Sequence, residues 1–227
     1  MNLWPGHMAP LYLQRPLEKL KLLCPTQFLV LPIISQRKPS KRNLKVQRLL
    51  PKLSIVNVVA TAELRQLVDL DKLIFVQGFL YDTAIYKCAY LKDERTNAKV
   101  SIFSTGKMIS VGSNSFQHAK HDLKYATKRL IELQLILPTR INAHLQNIVA
   151  TGDIGRSVDI ERLSTRLSNT IYEPEQFPGA IYYATELEGA SILIFATGKV
   201  VVAGLRKEQL LEVARRVLAN LGEITSN

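Results

Sequence analysis

The sequence predicts an α+β fold made of two tandem copies of one half-domain, each a curved antiparallel sheet with helices on one face. Three observations carry this. The segment Ser191 to Gly204, SILIFATGKVVVAG, holds two apolar runs joined by a Thr-Gly-Lys turn, the pattern of a tight β-hairpin. The hairpin occurs earlier as VSIFSTGKMISVG, Val100 to Gly112, with Phe103 over Phe195, Gly106 over Gly198 and Lys107 over Lys199, an offset of 92 residues. Upstream, IVNVVAT (Ile55 to Thr61) repeats as LQNIVAT (Leu145 to Thr151), and LVDLDKL (Leu67 to Leu73) as SVDIERL (Ser157 to Leu163), at an offset of 90. A repeat of about 90 residues is longer than a solenoid unit and suits two half-domains about a pseudo-twofold axis.

The elements follow in order. Ile55 to Thr61 alternates as a strand, and Asp69 opens a short amphipathic helix with Leu70, Leu73 and Ile74 inward. Leu80 to Tyr81, Ala84 to Leu91, Ala98 to Ser104 and Lys107 to Val111 form a meander. Ser115 is an N-cap candidate for a long helix with Phe116, Ala119, Leu123, Ala126 and Leu130 at helical spacing, stopped by Pro138. The second copy gives a strand at Leu145 to Ala150 and a helix at Asp159 to Leu167. Strands follow around Tyr172, at Ala180 to Thr185, Ser191 to Ala196 and Val200 to Ala203. The last helix starts near Arg206, with Gly222 as its C-cap.

The final hairpin poses a question of chemistry. Alternation sets Leu193, Phe195, Val201 and Ala203 on one face and Ile192, Ile194, Val200 and Val202 on the other. Both faces are apolar, whereas a meander normally turns polar residues to solvent. The second face requires a partner: another layer, another chain, or a ligand surface that accepts apolar contact.

Composition narrows the rest. Of 227 residues, 47% are apolar, enough for a substantial core, and the formal charge is +11. That charge is concentrated: residues 1–52 hold ten Lys and Arg against the single acid Glu18, together with seven of the ten prolines. This stretch reads as a loosely ordered basic extension whose run Arg37 to Arg48 suits nonspecific phosphate contact. Its longest apolar run, Phe28 to Ile34, is too short to span a bilayer and lacks the pattern of a secretory signal. Cys24 and Cys88 have no metal-like spacing and read as reduced thiols inside a cell.

The Gly-Lys pairs at 106/107 and 198/199 lack the remaining positions of a phosphate-binding loop and read as turns. His118 and His121, with Asp122, are better explained by an exposed helix face than as metal ligands. No nucleophile elbow, HExxH motif or acid/base carboxylate pair is present, so the sequence reads as a non-enzyme without metal or cofactor.

The phrases YEPEQFPGAIY (Tyr172 to Tyr182), LIFATGKVVVAG, IFSTGKM and the paired VNVVAT and QNIVAT resemble the TATA-binding protein family, and the second copy is most similar to archaeal members. The resemblance covers about Leu53 to Gly222. It divides the chain into an extension (1–52), a first repeat (53–142), a second repeat (143–222) and a tail (223–227). It implies a saddle: a curved antiparallel sheet of about ten strands with four helices on the convex face, whose concave face lies on the DNA minor groove. That mode of binding, with apolar side chains inserted between base steps, is the family's known one.

The resemblance implies a DNA-facing floor of Val59, Ile109, Val111, Val149, Leu193, Val201 and Ala203, and paired aromatic wedges at Phe177 with Phe195 and Tyr86 with Phe103. Asn57 and Asn147 match the central asparagines that donate to minor-groove acceptors. Lys92, Thr105, Lys107, Thr197 and Lys199 match positions facing phosphate, and Glu173 and Glu175 match the segment that docks transcription factor B. The implied role is a general transcription initiation factor that binds and bends A·T-rich double-stranded promoter DNA and recruits factor B and, indirectly, RNA polymerase. It implies no membrane association and one copy per DNA site, with dimerisation open for the free protein. The location implied is the cytoplasm, with the nucleoid, in an archaeon, or the nucleus in a eukaryote.

The departures are specific. The first copy reads LYDTAIYKCAY, with Tyr86 where the family has phenylalanine, and a usual arginine is replaced by Tyr183 in the second copy. Fewer cations imply weaker phosphate anchoring and a shallower salt dependence. The alternatives are a diverged relative serving as a protein-interaction platform, or an accessory domain of a nucleic-acid enzyme. The second requires a catalytic domain for which residues 1–52 leave no room.

Overall fold

The computed structural model describes residues 51–82, 84 and 87–224. The basic extension through residue 50 and the Tyr86 position lie outside the described residues. Ten strands form one antiparallel sheet: β1 (Leu53–Glu63), β2 (Phe79–Leu80), β3 (Cys88–Leu91), β4 (Lys99–Phe103), β5 (Lys107–Ser113), β6 (His144–Asp153), β7 (Thr170–Ile171), β8 (Gly179–Tyr182), β9 (Ser191–Phe195) and β10 (Lys199–Leu205). Their order, β2-β3-β4-β5-β1-β6-β10-β9-β8-β7, is a mirror image about the β1/β6 seam. Across that seam Asn57 pairs with Val149, Val58 with Ile148 and Val59 with Asn147, so the pseudo-dyad passes through the Val58/Ile148 pair. The 90-residue offset read along the chain is this axis seen in space.

Alternation, interrupted only at bulges, gives the sheet two different faces. Val58, Ala60, Val100, Ile102, Met108, Ile148, Ala150, Ile192, Ile194, Val200 and Val202 are buried on the convex side. Against them pack α1 (Phe116–Glu132), α2 (Ile160–Arg166) and α3 (Leu210–Ile224). Ala119, Leu123, Ala126 and Leu130 supply the inner stripe of α1, and Leu210, Ala214, Val217, Leu218 and Leu221 that of α3. Burial of the Val, Leu, Ile and Met side chains among these stabilises by about 1.5–3 kcal/mol each and is the main source of stability.

The described residues hold three α-helices instead of the four expected. In the second repeat the Asp159 side chain accepts the Arg162 N–H at 3.0 Å and starts a true helix. In the first repeat Asp69 makes no such cap, and Leu70–Leu73 forms only a 3-10 turn. The residues that follow it, Ile74, Phe75 and Val76, are poor helix formers. Leu70 and Leu73 are buried as expected, but Ile74 is exposed.

Other boundaries also move. Helix α1 starts at its Ser115 cap, whose Oγ accepts the His118 N–H at 3.2 Å, but ends at Glu132, before Pro138. Gln134, at φ 57°, turns the chain there, and the Leu135 N–H reaches back to the Leu130 carbonyl at 3.0 Å. Helix α3 starts at Leu210 and continues through Gly222, which is therefore not its C-cap. The strand expected from Ala84 is confined to Cys88–Leu91.

The two hairpin tips are held identically. The Leu64 and Val68 N–H groups donate to the Gly106 and Ser104 carbonyls, and Ile154 and Val158 to Gly198 and Ala196, all at 2.9 Å. Gly106 and Gly198 have φ of 83° and 84°, and a Cβ on either would collide with the carbonyl of Gln66 or Arg156. Both turns therefore demand glycine.

Candidate nucleic-acid interface

The concave side of the sheet carries the residues singled out from the sequence. Val59, Ile109, Val149, Leu193, Val201 and Ala203 are half-buried there, and Val111 is 38% exposed. Register joins them into continuous rows: Val59 opposite Val111 on β5 and Asn147 on β6, and Val201 opposite Leu193 on β9 and Thr151 on β6. Among the described residues the helices pack on the other face, which leaves this apolar surface uncovered.

The centre is organised by bulges. Gly112 and Gly204 are extra residues in β5 and β10, so their N–H groups leave the ladder. Asn57 Oδ1 accepts the Gly112 N–H, and Asn147 Oδ1 the Gly204 N–H, each at 2.9 Å. Because a backbone N–H can only donate, each amide is fixed with its oxygen toward the sheet and its NH2 group, two donors, beyond it. Val56 and Gln146 are a second symmetric pair of bulged residues. Gln146 donates to Thr61 Oγ1 at 2.8 Å, and Val56 is 49% exposed. Neither was found from sequence, because alternation counts residues while a bulge interrupts the count.

At the far end of the second repeat, Phe177 and Phe195 lie edge to face with centroids 5.7 Å apart. They meet over Gly179, where an added Cβ would lie 3.0 Å from the Phe177 ring and 3.2 Å from Phe195. The counterpart of Gly179 is Cys88, which pairs with Phe103 as Gly179 pairs with Phe195. Cys88 thus carries a side chain where glycine leaves room under the Phe195 ring.

Cations rim the two symmetric hollows of this face. One is lined by Thr61, Phe103, Thr105, Lys107, Ile109 and Arg140, the other by Ser54, Lys52, Thr151, Phe195, Thr197 and Lys199. Lys107 and Lys199 stand opposite Glu63 and Asp153 on the neighbouring strands, which offsets part of their charge. Lys92 is turned onto its own loop, its Nζ donating to the Thr96 and Asn97 carbonyls at 3.2 Å. Arg140 and Lys52 were not singled out from sequence, since only folding brings the inter-repeat linker and the start of β1 to the rims. Glu173 and Glu175 are exposed on the loop before β8, where the Gln176 and Phe177 N–H groups both donate to the Glu173 carbonyl at 2.9 Å. Glu173 and Glu175 precede Phe177 by four and two residues, and neither lies on the floor strands β1, β5, β6 and β10. Among the described residues no cluster of His, Cys, Asp and Glu is arranged to hold a metal ion, and no helix is long and apolar enough to cross a membrane.

Comparison with known proteins bears on this surface as a whole. The family model described as Transcription factor TFIID (or TATA-binding protein, TBP) matches twice, over residues 52–133 and 142–224. A TATA-box-binding protein of Cenarchaeum symbiosum is 38% identical over 154 residues, covering 67% of this chain and 84% of that protein. One from Pyrococcus abyssi is 32% identical over 176 residues, covering 75% and 90%. The solved structure of Methanococcus jannaschii TBP superposes with a TM-score of 0.66 at 27% identity, over 76% of this chain and 99% of that one. The chain belongs to the TATA-binding protein family, a family of transcription factors and not of enzymes.

Proposed function

We propose that this protein is a general transcription initiation factor that binds and bends A·T-rich promoter duplex through the minor groove, then recruits transcription factor B and RNA polymerase, without catalysis. The observation that supports this most is the apolar face, which no described element covers, with two asparagine amides fixed at its pseudo-dyad. The minor groove of A·T pairs offers only acceptors, adenine N3 and thymine O2. Asparagine NH2 groups held outward at Asn57 and Asn147 satisfy acceptors, while Val59, Val111, Val149, Val201 and Ala203 lie against the remaining floor. A guanine amino group set against that floor would lose its water without gaining an acceptor.

Phe177 and Phe195 act as a wedge that unstacks a base step, at a cost of a few kcal/mol offset by the surface the bent duplex wraps. Thr105, Lys107, Thr197, Lys199 and, when released from its loop, Lys92 contact phosphates. Tyr86 with Phe103 forms the corresponding wedge of the first repeat.

A gel-shift titration against an A·T-rich duplex at low salt tests the reading directly. A shifted band that weakens with rising salt is expected, and no band overturns it. Glu173→Arg is expected to spare the binary complex and weaken the ternary complex with factor B; equal supershifts for the two proteins would remove that role.

A further inference from the structure

The two halves of the concave face are not chemically alike. In the second repeat, register lines up Ile171, Ile181, Leu193 and Val201 from edge to centre, ending at Thr151. The corresponding row of the first repeat is Leu80, Tyr90, Ser101 and Ile109, ending at Thr61. Two apolar residues, Ile181 and Leu193, are thus replaced by hydroxyl-bearing Tyr90 and Ser101. Lys99, where the second repeat has Ser191, sets its Nζ 4.3 Å from the centre of the Tyr90 ring and adds a cation to the same half. Ser101 and Leu193 are both half-buried, and no hydrogen bond among the described residues engages the Ser101 hydroxyl.

In the minor groove the edges differ mainly by one group, the guanine 2-amino donor. Under Leu193 and Ile181 that donor meets only carbon. Under Ser101 it meets a rotatable hydroxyl with two acceptor lone pairs. We propose, resting on the minor-groove reading above, that the first repeat accepts a G·C pair beneath Ser101 and Tyr90 while the second requires A·T, and that this difference sets which way round the protein sits on its site.

The test uses full-length protein and a palindromic all-A·T duplex. A single G·C pair is scanned through one half, then placed at mirror-related positions in both halves. At the position under Ser101, one G·C pair is expected to cost about threefold or less in affinity, because the protein turns its first repeat toward it. The doubly substituted duplex is expected to lose about tenfold or more. Asn220→Cys, on the exposed side of α3, carries a dye in a Cys24→Ser background and reports orientation by energy transfer. Low transfer to the end bearing the G·C pair is expected. Ser101→Leu should remove the tolerance of the single substitution, and Leu193→Ser should restore binding to the doubly substituted duplex. If no scanned position is tolerated, or if tolerance and orientation survive Ser101→Leu, the proposal is overturned. Absence of binding to the all-A·T duplex itself would overturn the minor-groove reading instead, so the two failures are distinct.

Discussion

The two repeats share strand order, hairpin tips and the asparagine–glycine bonds at the seam, yet they solve two local problems in different ways. In the second repeat the connection from β8 to β9 is held by a short 3-10 turn, Thr185–Leu187, and by an exposed ion pair, Lys207 Nζ to Glu188 Oε2 at 2.7 Å. In the first repeat the corresponding connection is tied to helix α1 from within. Asp122, read from the sequence as part of an exposed helix face, is instead fully buried, and it accepts the Asn97 N–H, the Asn97 Nδ2 and the Ala98 N–H at 3.0, 3.0 and 2.8 Å. Asp93 accepts from Tyr125 Oη at 2.7 Å, while the Arg129 guanidinium donates to the Gln77 carbonyl at 3.2 Å. The second difference lies beside the Phe195 and Phe103 rings, where the second repeat has Gly179 and the first has Cys88 with its side chain. Duplication preserved the symmetric scaffold; the two copies then diverged where a loop or a ring is held.

The sharpest way to break this comparison is through Asp122. Asp122→Ala leaves the buried Ala98 N–H and the partly buried Asn97 N–H unpaired and is expected to destabilise the protein by about 3 kcal/mol, read as a lower urea midpoint. A loss under about 1 kcal/mol would mean the loop is held by its other contacts. Next is the wedge. Phe195→Ala is expected to weaken binding to an A·T-rich duplex by about 2 kcal/mol, roughly 30-fold, and Phe103→Ala by about 1 kcal/mol, roughly fivefold. End-to-end energy transfer across the duplex should change more for the first than for the second. Equal effects would show that Cys88 does not impair the first wedge.

A smaller effect is expected in the core. Ser110 Oγ is buried without a hydrogen-bond partner at the position that Val202 occupies in the second repeat. Ser110→Val should raise stability by about 1 kcal/mol and the Tm by about 3 °C in a thermal scan. The smallest effect belongs to the surface: Lys207→Gln should cost less than about 0.5 kcal/mol, because both partners of its ion pair are more than half exposed. A larger loss would make that pair a real counterpart of the Asp122 tie.

The duplicated fold, the hairpins and the two apolar faces of the final hairpin were legible in the residues, because period-two alternation and a 90-residue echo are properties of the chain itself. Asn57 and Asn147 stood out as a matched pair, but nothing local told which amide atom faced outward. That is decided by Gly112 and Gly204, 55 and 57 residues away, whose bulged N–H groups claim the oxygens. The same limit hid Arg140 and Lys52 at the rims, the 3-10 turn that replaced a helix, and the early end of α1.

By itself, then, the sequence determined the repeat, the two-faced sheet and the family, since those depend on which side chains alternate and recur. Only the tertiary structure decided how the amides point, which row Ser101 and Tyr90 join, and that Cys88 stands beside Phe103 where Gly179 stands beside Phe195. Each of these depends on strand register, which is set by bulges and contacts between residues far apart in the chain.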